Sequence, residues 1–146
     1  MKEQLLQGES LSDLLERVGV YCEDCDPRDA YYAVEMLMAL GVGQQYRGFS
    51  MAVEAICIAV DRADALTQVR LHILEPIGQR FGCCWKSVDR NLRTVIQCAW
   101  RMNAAHLRKL AVYPLYSEPS VSEFISLMSS HVIRRRMRQA LRAQDG

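Results

Sequence analysis

Leu74-Glu75-Pro76-Ile77-Gly78-Gln79-Arg80-Phe81-Gly82-Cys83-Cys84-Trp85-Lys86-Ser87-Val88-Asp89-Arg90-Asn91-Leu92-Arg93 is the stretch that decides the fold. Val69, Ile73, Ile77 and Phe81 recur at intervals of four, the spacing of one helix face, and Thr67 stands where a cap for that helix belongs. Pro76 lacks an amide hydrogen, so a kink or a break into two short pieces is expected there. Gly82 follows Phe81 directly, and helical spacing resumes by about Cys84 and continues to Met102. Two helices joined by a glycine-containing turn of a few residues form the pattern of a helix-turn-helix.

The second of these helices sorts into two faces when residues advance by about 100 degrees each. Val88, Leu92, Val95 and Ala99 fall within about 40 degrees of one another and form an inner face. Lys86, Arg90, Arg93, Gln97 and Arg101 fall opposite, between about 140 and 220 degrees. Such a row of donors suits the major groove. Arginine can give two hydrogen bonds to guanine O6 and N7, glutamine can pair with adenine, and lysine can meet phosphate or base. Base contacts usually come from the N-terminal half of a recognition helix, so Lys86, Ser87, Arg90, Arg93 and Thr94 are candidates for reading sequence, with Gln97 and Arg101 nearer the backbone. Asp89 either accepts from cytosine N4 or orients Arg93 four residues on. A charged helix face that merely meets solvent is the plainer alternative.

Outward from this pair, helical spacing continues in both directions. Ser10 or Ser12 caps a short amphipathic helix with Leu11, Leu14, Leu15 and Val18, ending near Gly19. Tyr21 to Pro27 reads as an acidic linker, and Asp26-Pro27 starts a helix carrying Tyr31, Val34, Leu37 and Met38, stopped by Gly41-Val42-Gly43. Gly48 to Arg62 gives a largely apolar helix, buried on most sides. After Asn103 comes a short helical stretch, Ala104 to Leu110, then a loop with Pro114 and Pro119. Ser120 or Ser122 caps a last helix with Phe124, Leu127, Met128 and Val132 inward. The expected architecture is therefore all-α: an acidic arm with a short helix over residues 1–27, a helical DNA-binding domain over 28–133, and a basic tail over 134–146.

Composition permits this. Of 146 residues half are hydrophobic and 24% charged, enough for one buried core. The longest apolar stretch, Ala52 to Val60, is broken by Glu54 and is far below the roughly 18 residues of a membrane span. The polar Met1-Lys2-Glu3-Gln4 does not resemble a secretory leader, so a cytoplasmic protein is expected. The net charge of +1 conceals an uneven distribution: −5 over residues 1–30, +6 over 67–110 and +4 from Arg134 onward. That asymmetry hints at a polyanionic partner.

Six cysteines in a chain without an export signal read as reduced thiols. Cys57 and Cys98 fall in apolar helical patterns as small core residues. Cys22 and Cys25 have the C-x-x-C spacing and Cys83-Cys84 are adjacent, which leaves a metal or thiol switch as a minor alternative, but no second C-x-x-C completes a zinc site. No cofactor is expected. His72, His106 and His131 are scattered and no hydrolase, zincin or phosphate-loop motif occurs, so an enzyme is the least favoured class.

The pieces Gly41-Val42, Tyr46-Arg47-Gly48-Phe49, Leu74 to Phe81, Val88-Asp89-Arg90-Asn91-Leu92-Arg93, Ala99-Trp100 and Ser122-Glu123-Phe124-Ile125 occur in an order and spacing of their own. Together they make residues 40–132 resemble the C-terminal DNA-binding effector domain of the sporulation initiation response regulator of endospore-forming bacteria. The resemblance implies a six-helix bundle containing a helix-turn-helix, and sequence-specific DNA binding in transcription control. It maps the recognition positions onto Lys86, Ser87, Asp89, Arg90, Arg93 and Thr94. Ser87 stands where the family carries arginine and Thr94 where it carries histidine, which implies a shifted or relaxed target. Gly82-Cys83-Cys84-Trp85 replaces small polar residues, and Trp85 is expected to pack under the turn. The family's receiver domain cannot be built from the acidic stretch of 30 residues at the start, so no phosphoswitch is expected in this chain.

Double-stranded DNA is thus the expected partner, with no membrane. A homodimer is an open expectation, and the helix around Leu11 to Val18 either dimerises or docks on the bundle. The competing reading is a protein-interaction module that pairs with the full-length regulator or RNA polymerase without reading DNA, its acidic arm lying across the basic groove.

Overall fold

The structure is a computed structural model and describes residues 9–21 and 23–145. Six α-helices follow in order: α1 (Leu11–Arg17), α2 (Pro27–Ala39), α3 (Arg47–Asp61), α4 (Glu75–Phe81), α5 (Trp85–Leu110) and α6 (Val121–Asp145). A 3₁₀ turn (Ala63–Gln68) and a π-helical turn (Arg70–Leu74) lead into α4. No strand occurs among the described residues. Helix α5 contains a break at Asn103, whose φ of −156° and ψ of 60° are not helical. Its amide donates to the Ala39 carbonyl (3.0 Å), while its carbonyl oxygen accepts from the His106 N–H (3.3 Å) and so caps the second half of α5. With the two halves of α5 counted separately, six helices form the bundle and α1 is the arm.

The centre of the bundle is α3, which packs against α2, α5 and α6. Its sequence explains the position: Phe49, Met51, Ile56, Ala52, Val53, Ala55, Cys57 and Ala59 are all buried, leaving little polar surface on any side. Each large side chain withdrawn in this way contributes about 1.5–3 kcal/mol. At Gly48 a Cβ would stand 2.8 Å from Val95 Cγ2 and nearer still to the Asn91 carbonyl oxygen, so the start of α3 touches the backbone of α5 directly. Substitution there forces the two helices apart.

Capping follows the local sequence. Ser10 accepts from the Asp13 N–H (3.1 Å) and Asp13 answers at the Ser10 N–H (3.0 Å), a capping box. Ser120 and Glu123 repeat the device at α6. Asp26 caps α2 with Pro27 at its first position. Helix α1 packs on α2, with Leu15 buried and Val20 buried just beyond it.

Two local expectations require correction. Thr67 does not cap the helix that carries Ile73 and Ile77. It lies inside the 3₁₀ turn and donates to the Asp64 carbonyl (2.6 Å). The break expected at Pro76 takes the form of a π-helical turn, in which the Glu75 N–H reaches back five residues to the Arg70 carbonyl. Proline cannot donate to the carbonyl four residues before it, and widening the preceding turn absorbs that loss without ending the helix.

Within the basic tail, α6 continues without a break to Asp145. Arg136 donates through Nε to Asp29 Oδ1 (2.8 Å) and through Nη2 to Oδ2, and Asp29 is only 1% exposed. Arg135 pairs with Glu35 (3.2 Å) and stacks over Tyr32, which accepts from Gln139. The start of α2 and the end of α6 are thereby joined. Further back on α6, burial first, and then the charges of Arg134, Arg135 and Arg138, push the His131 pKa below its usual 6.5. The unfolded chain therefore binds a proton at a pH where the fold still refuses one, so stability is complete above that usual value and declines as pH falls through it. Melting temperatures measured from pH 7.5 to 5.5 are expected to fall in the wild type and to fall less in His131→Gln; parallel curves would refute the assignment.

Candidate nucleic-acid interface

The turn before α5 is built by three local features. Gly82 adopts a left-handed conformation (φ 69°), which a side chain would resist. The Gly82 N–H then reaches the Gln79 carbonyl (3.4 Å) and the Cys83 N–H reaches the Gly78 carbonyl (2.8 Å), the paired bonds of a Schellman motif closing α4. Gly78 permits the return of the chain, since a Cβ there would lie 2.6 Å from the Cys83 carbonyl oxygen. Arg47 from α3 donates to the Phe81 carbonyl (3.1 Å) and fixes the end of α4. Arg80 pairs with Glu54 of α3 (2.9 Å), tying α4 to the centre of the bundle. Burial raises the Glu54 pKa, the Arg80 charge opposes that, and Glu23 and Asp24 add to the rise.

Helix α5 turns Val88, Leu92, Val95 and Ala99 into the core. Lys86, Arg90, Arg93, Thr94, Gln97 and Arg101 are exposed, and Ser87 and Asp89 are half-buried at the edge of the same surface. Asp89 accepts from Arg93 Nε at 2.7 Å, so in the free protein it orients that guanidinium. Thr94 donates its hydroxyl to the Arg90 carbonyl (3.1 Å), which leaves its oxygen lone pairs and methyl group as what it can offer a ligand. Asn91, on the flank, donates to the Ser87 carbonyl (2.8 Å).

The turn cysteines flank this surface, Cys83 half-buried and Cys84 exposed at the cap position of α5. The Ser87 amide and then the Lys86 amide lower the Cys84 thiol pKa. Cys22 lies outside the described residues. Among the described residues no three His, Cys, Asp or Glu side chains converge on a metal position. Trp85 is half-buried and packed against the core.

Among the described residues of the acidic arm, four carboxylates have partners or surroundings of their own. Glu9 pairs with Arg17, Asp13 caps α1, Asp26 caps α2 and pairs with Arg28 and Arg136, and Asp24 lines a hollow beside Glu54 and Arg80. Sequence reasoning identified the outer row of α5 but missed Arg70, whose guanidinium lies 4.4 Å from the centre of the Trp85 ring. No periodic signal carries that pairing, because Arg70 and Trp85 belong to different helical segments.

A short α-helix, a glycine turn and a longer helix presenting exposed cations on a bundle define a helix-turn-helix domain of the nucleic-acid-binding class. The family described as sporulation initiation factor Spo0A C terminal matches residues 33–132, about two thirds of the chain, and the protein belongs to it. It is thus a DNA-binding effector domain of the sporulation regulator type, in the province of transcription regulation. No helix among the described residues is long and apolar enough to cross a membrane.

Proposed function

We propose that the protein is a sequence-specific transcription regulator that lays α5 in the major groove of duplex DNA, in the cytoplasm where the chromosome is reached. Residues 28–133 form the DNA-binding unit. Ser87, Asp89, Arg90, Arg93 and Thr94 meet base edges, Lys86 at the start of the helix meets phosphate or base, and Gln97 and Arg101 lie nearer the phosphates. The observation that carries this reading is the exposure of the whole cationic row on one side of a helix whose opposite side is core. Arg90 and Arg93 have the fork geometry for guanine. Ser87 and Thr94 are short, and the positions they face are read with less discrimination than an arginine would give.

Selection of binding sites from random duplexes, followed by gel shifts of the winning sequence across a salt series, tests this. A single recovered motif is expected, with affinity falling at least tenfold between low and physiological salt if about four to six phosphates are contacted. Recovery of no motif, with equal weak binding to all duplexes, would defeat sequence reading. The competing role, a partner module whose arm covers the groove, would show instead as binding to the full-length regulator or RNA polymerase with no shift of any duplex.

A further inference from the structure

Trp85 brings two cations to one ring. Arg70 lies over the indole at 4.4 Å, and Lys86 Nζ approaches the same ring at 5.9 Å. The ring is held against the core, whereas Arg70 and Lys86 are exposed. Glu75 takes the Nε edge of Arg70 at 3.2 Å, yet 64% of the Arg70 side chain remains open to solvent. The two cations come from different segments, the π-helical turn and the first turn of α5, and are gathered beside the row that faces the groove.

From this arrangement we infer that Arg70, Trp85 and Lys86 form a phosphate seat that grips the DNA backbone at the edge of the groove entered by α5. The inference rests on the proposed function and assigns a part of it to a residue outside the recognition helix. The physical argument is one of preorganisation. An aromatic face attracts a cation and restricts its side chain, so less freedom remains to be lost when a ligand binds. Two positive groups held at one ring repel each other, and an anion between them removes that repulsion. A planar guanidinium matches two oxygens of a phosphate, and Lys86 adds a point charge at the start of α5, where the helix dipole also favours negative groups. Backbone phosphate fits this set and base edges do not, since the seat offers charge without a pattern of donors and acceptors. Trp85 is then a positioning residue: it holds Arg70 in place and need not touch DNA.

Binding of the full chain to its selected duplex, followed by fluorescence anisotropy over a series of salt concentrations, tests the seat. Arg70→Ala is expected to lower the slope of log affinity against log salt by about one and to weaken binding at low salt about five- to tenfold. The preference for the selected site over a scrambled duplex stays unchanged. Trp85→Leu is expected to lose most of the same increment and Trp85→Phe to keep most of it, as the ring's quadrupole is reduced but present. Arg70→Ala leaves the ring and core intact, so the test stands even where Trp85→Leu unfolds. An Arg70→Ala protein with wild-type slope and affinity overturns the seat, as does an altered sequence preference at unchanged slope. If the wild type shows no salt-dependent binding to any duplex, the DNA-reading function fails instead, which is a separate result.

Discussion

Replacing Arg90 and Arg93 together by alanine is expected to weaken binding to the selected duplex about a hundredfold or more, while binding to a scrambled duplex falls much less. Each arginine that pairs bidentately with a guanine accounts for about 1–3 kcal/mol of discrimination, and the two lie three residues apart on one exposed face. The folded state should not suffer: both side chains are exposed, and the Asp89 pair lost with Arg93 is a surface contact of small value. Competition gel shifts with both duplexes measure the ratio, and circular dichroism confirms the helix content. Equal losses on both duplexes would mean that these arginines meet phosphates, and the bases would then have to be read from elsewhere on α5.

The second large effect concerns stability. Arg136→Met leaves the carboxylate of Asp29 buried without its guanidinium, and breaking a buried pair from one side costs about 3–5 kcal/mol. The Arg136 side chain is itself 44% exposed, so water reaches part of the vacated position and about 2–3 kcal/mol is the expected loss. For a chain of this length that corresponds to a melting temperature lower by about 5–10 °C. Asp29→Ala together with Arg136→Met removes both charges, and the double variant should regain part of the loss, which a double-mutant cycle reads as coupling. Additive effects in that cycle would show that the pair contributes nothing beyond its separate packing.

These two expectations differ in how readily the sequence discloses them. The row on α5 was legible because a helix of regular pitch maps sequence spacing onto angle, and Val88, Leu92, Val95 and Ala99 fix which side is inward. The same regularity exposed the caps at Ser10 and Asp26 and the break at Asn103, each a short-range event between near neighbours. The Asp29–Arg136 pair joins residues far apart in the chain, and nothing local marks either partner: Asp29 is one of eight acids in the first thirty residues, and Arg136 is one of five arginines in the basic tail. Arg70 escaped for a different reason. Arg70 stands in the π-helical turn and Trp85 in α5, and spacing along one helix says nothing of contacts with another.

The bare backbone contact between Gly48 and Asn91 has a consequence for how such a protein changes its target over time. With no side chain between the two backbones, α5 has no room to come closer to α3 at this point. If α5 enters the groove as proposed, new operators would be reached by exchanging individual letters such as Ser87 or Thr94 on that frame.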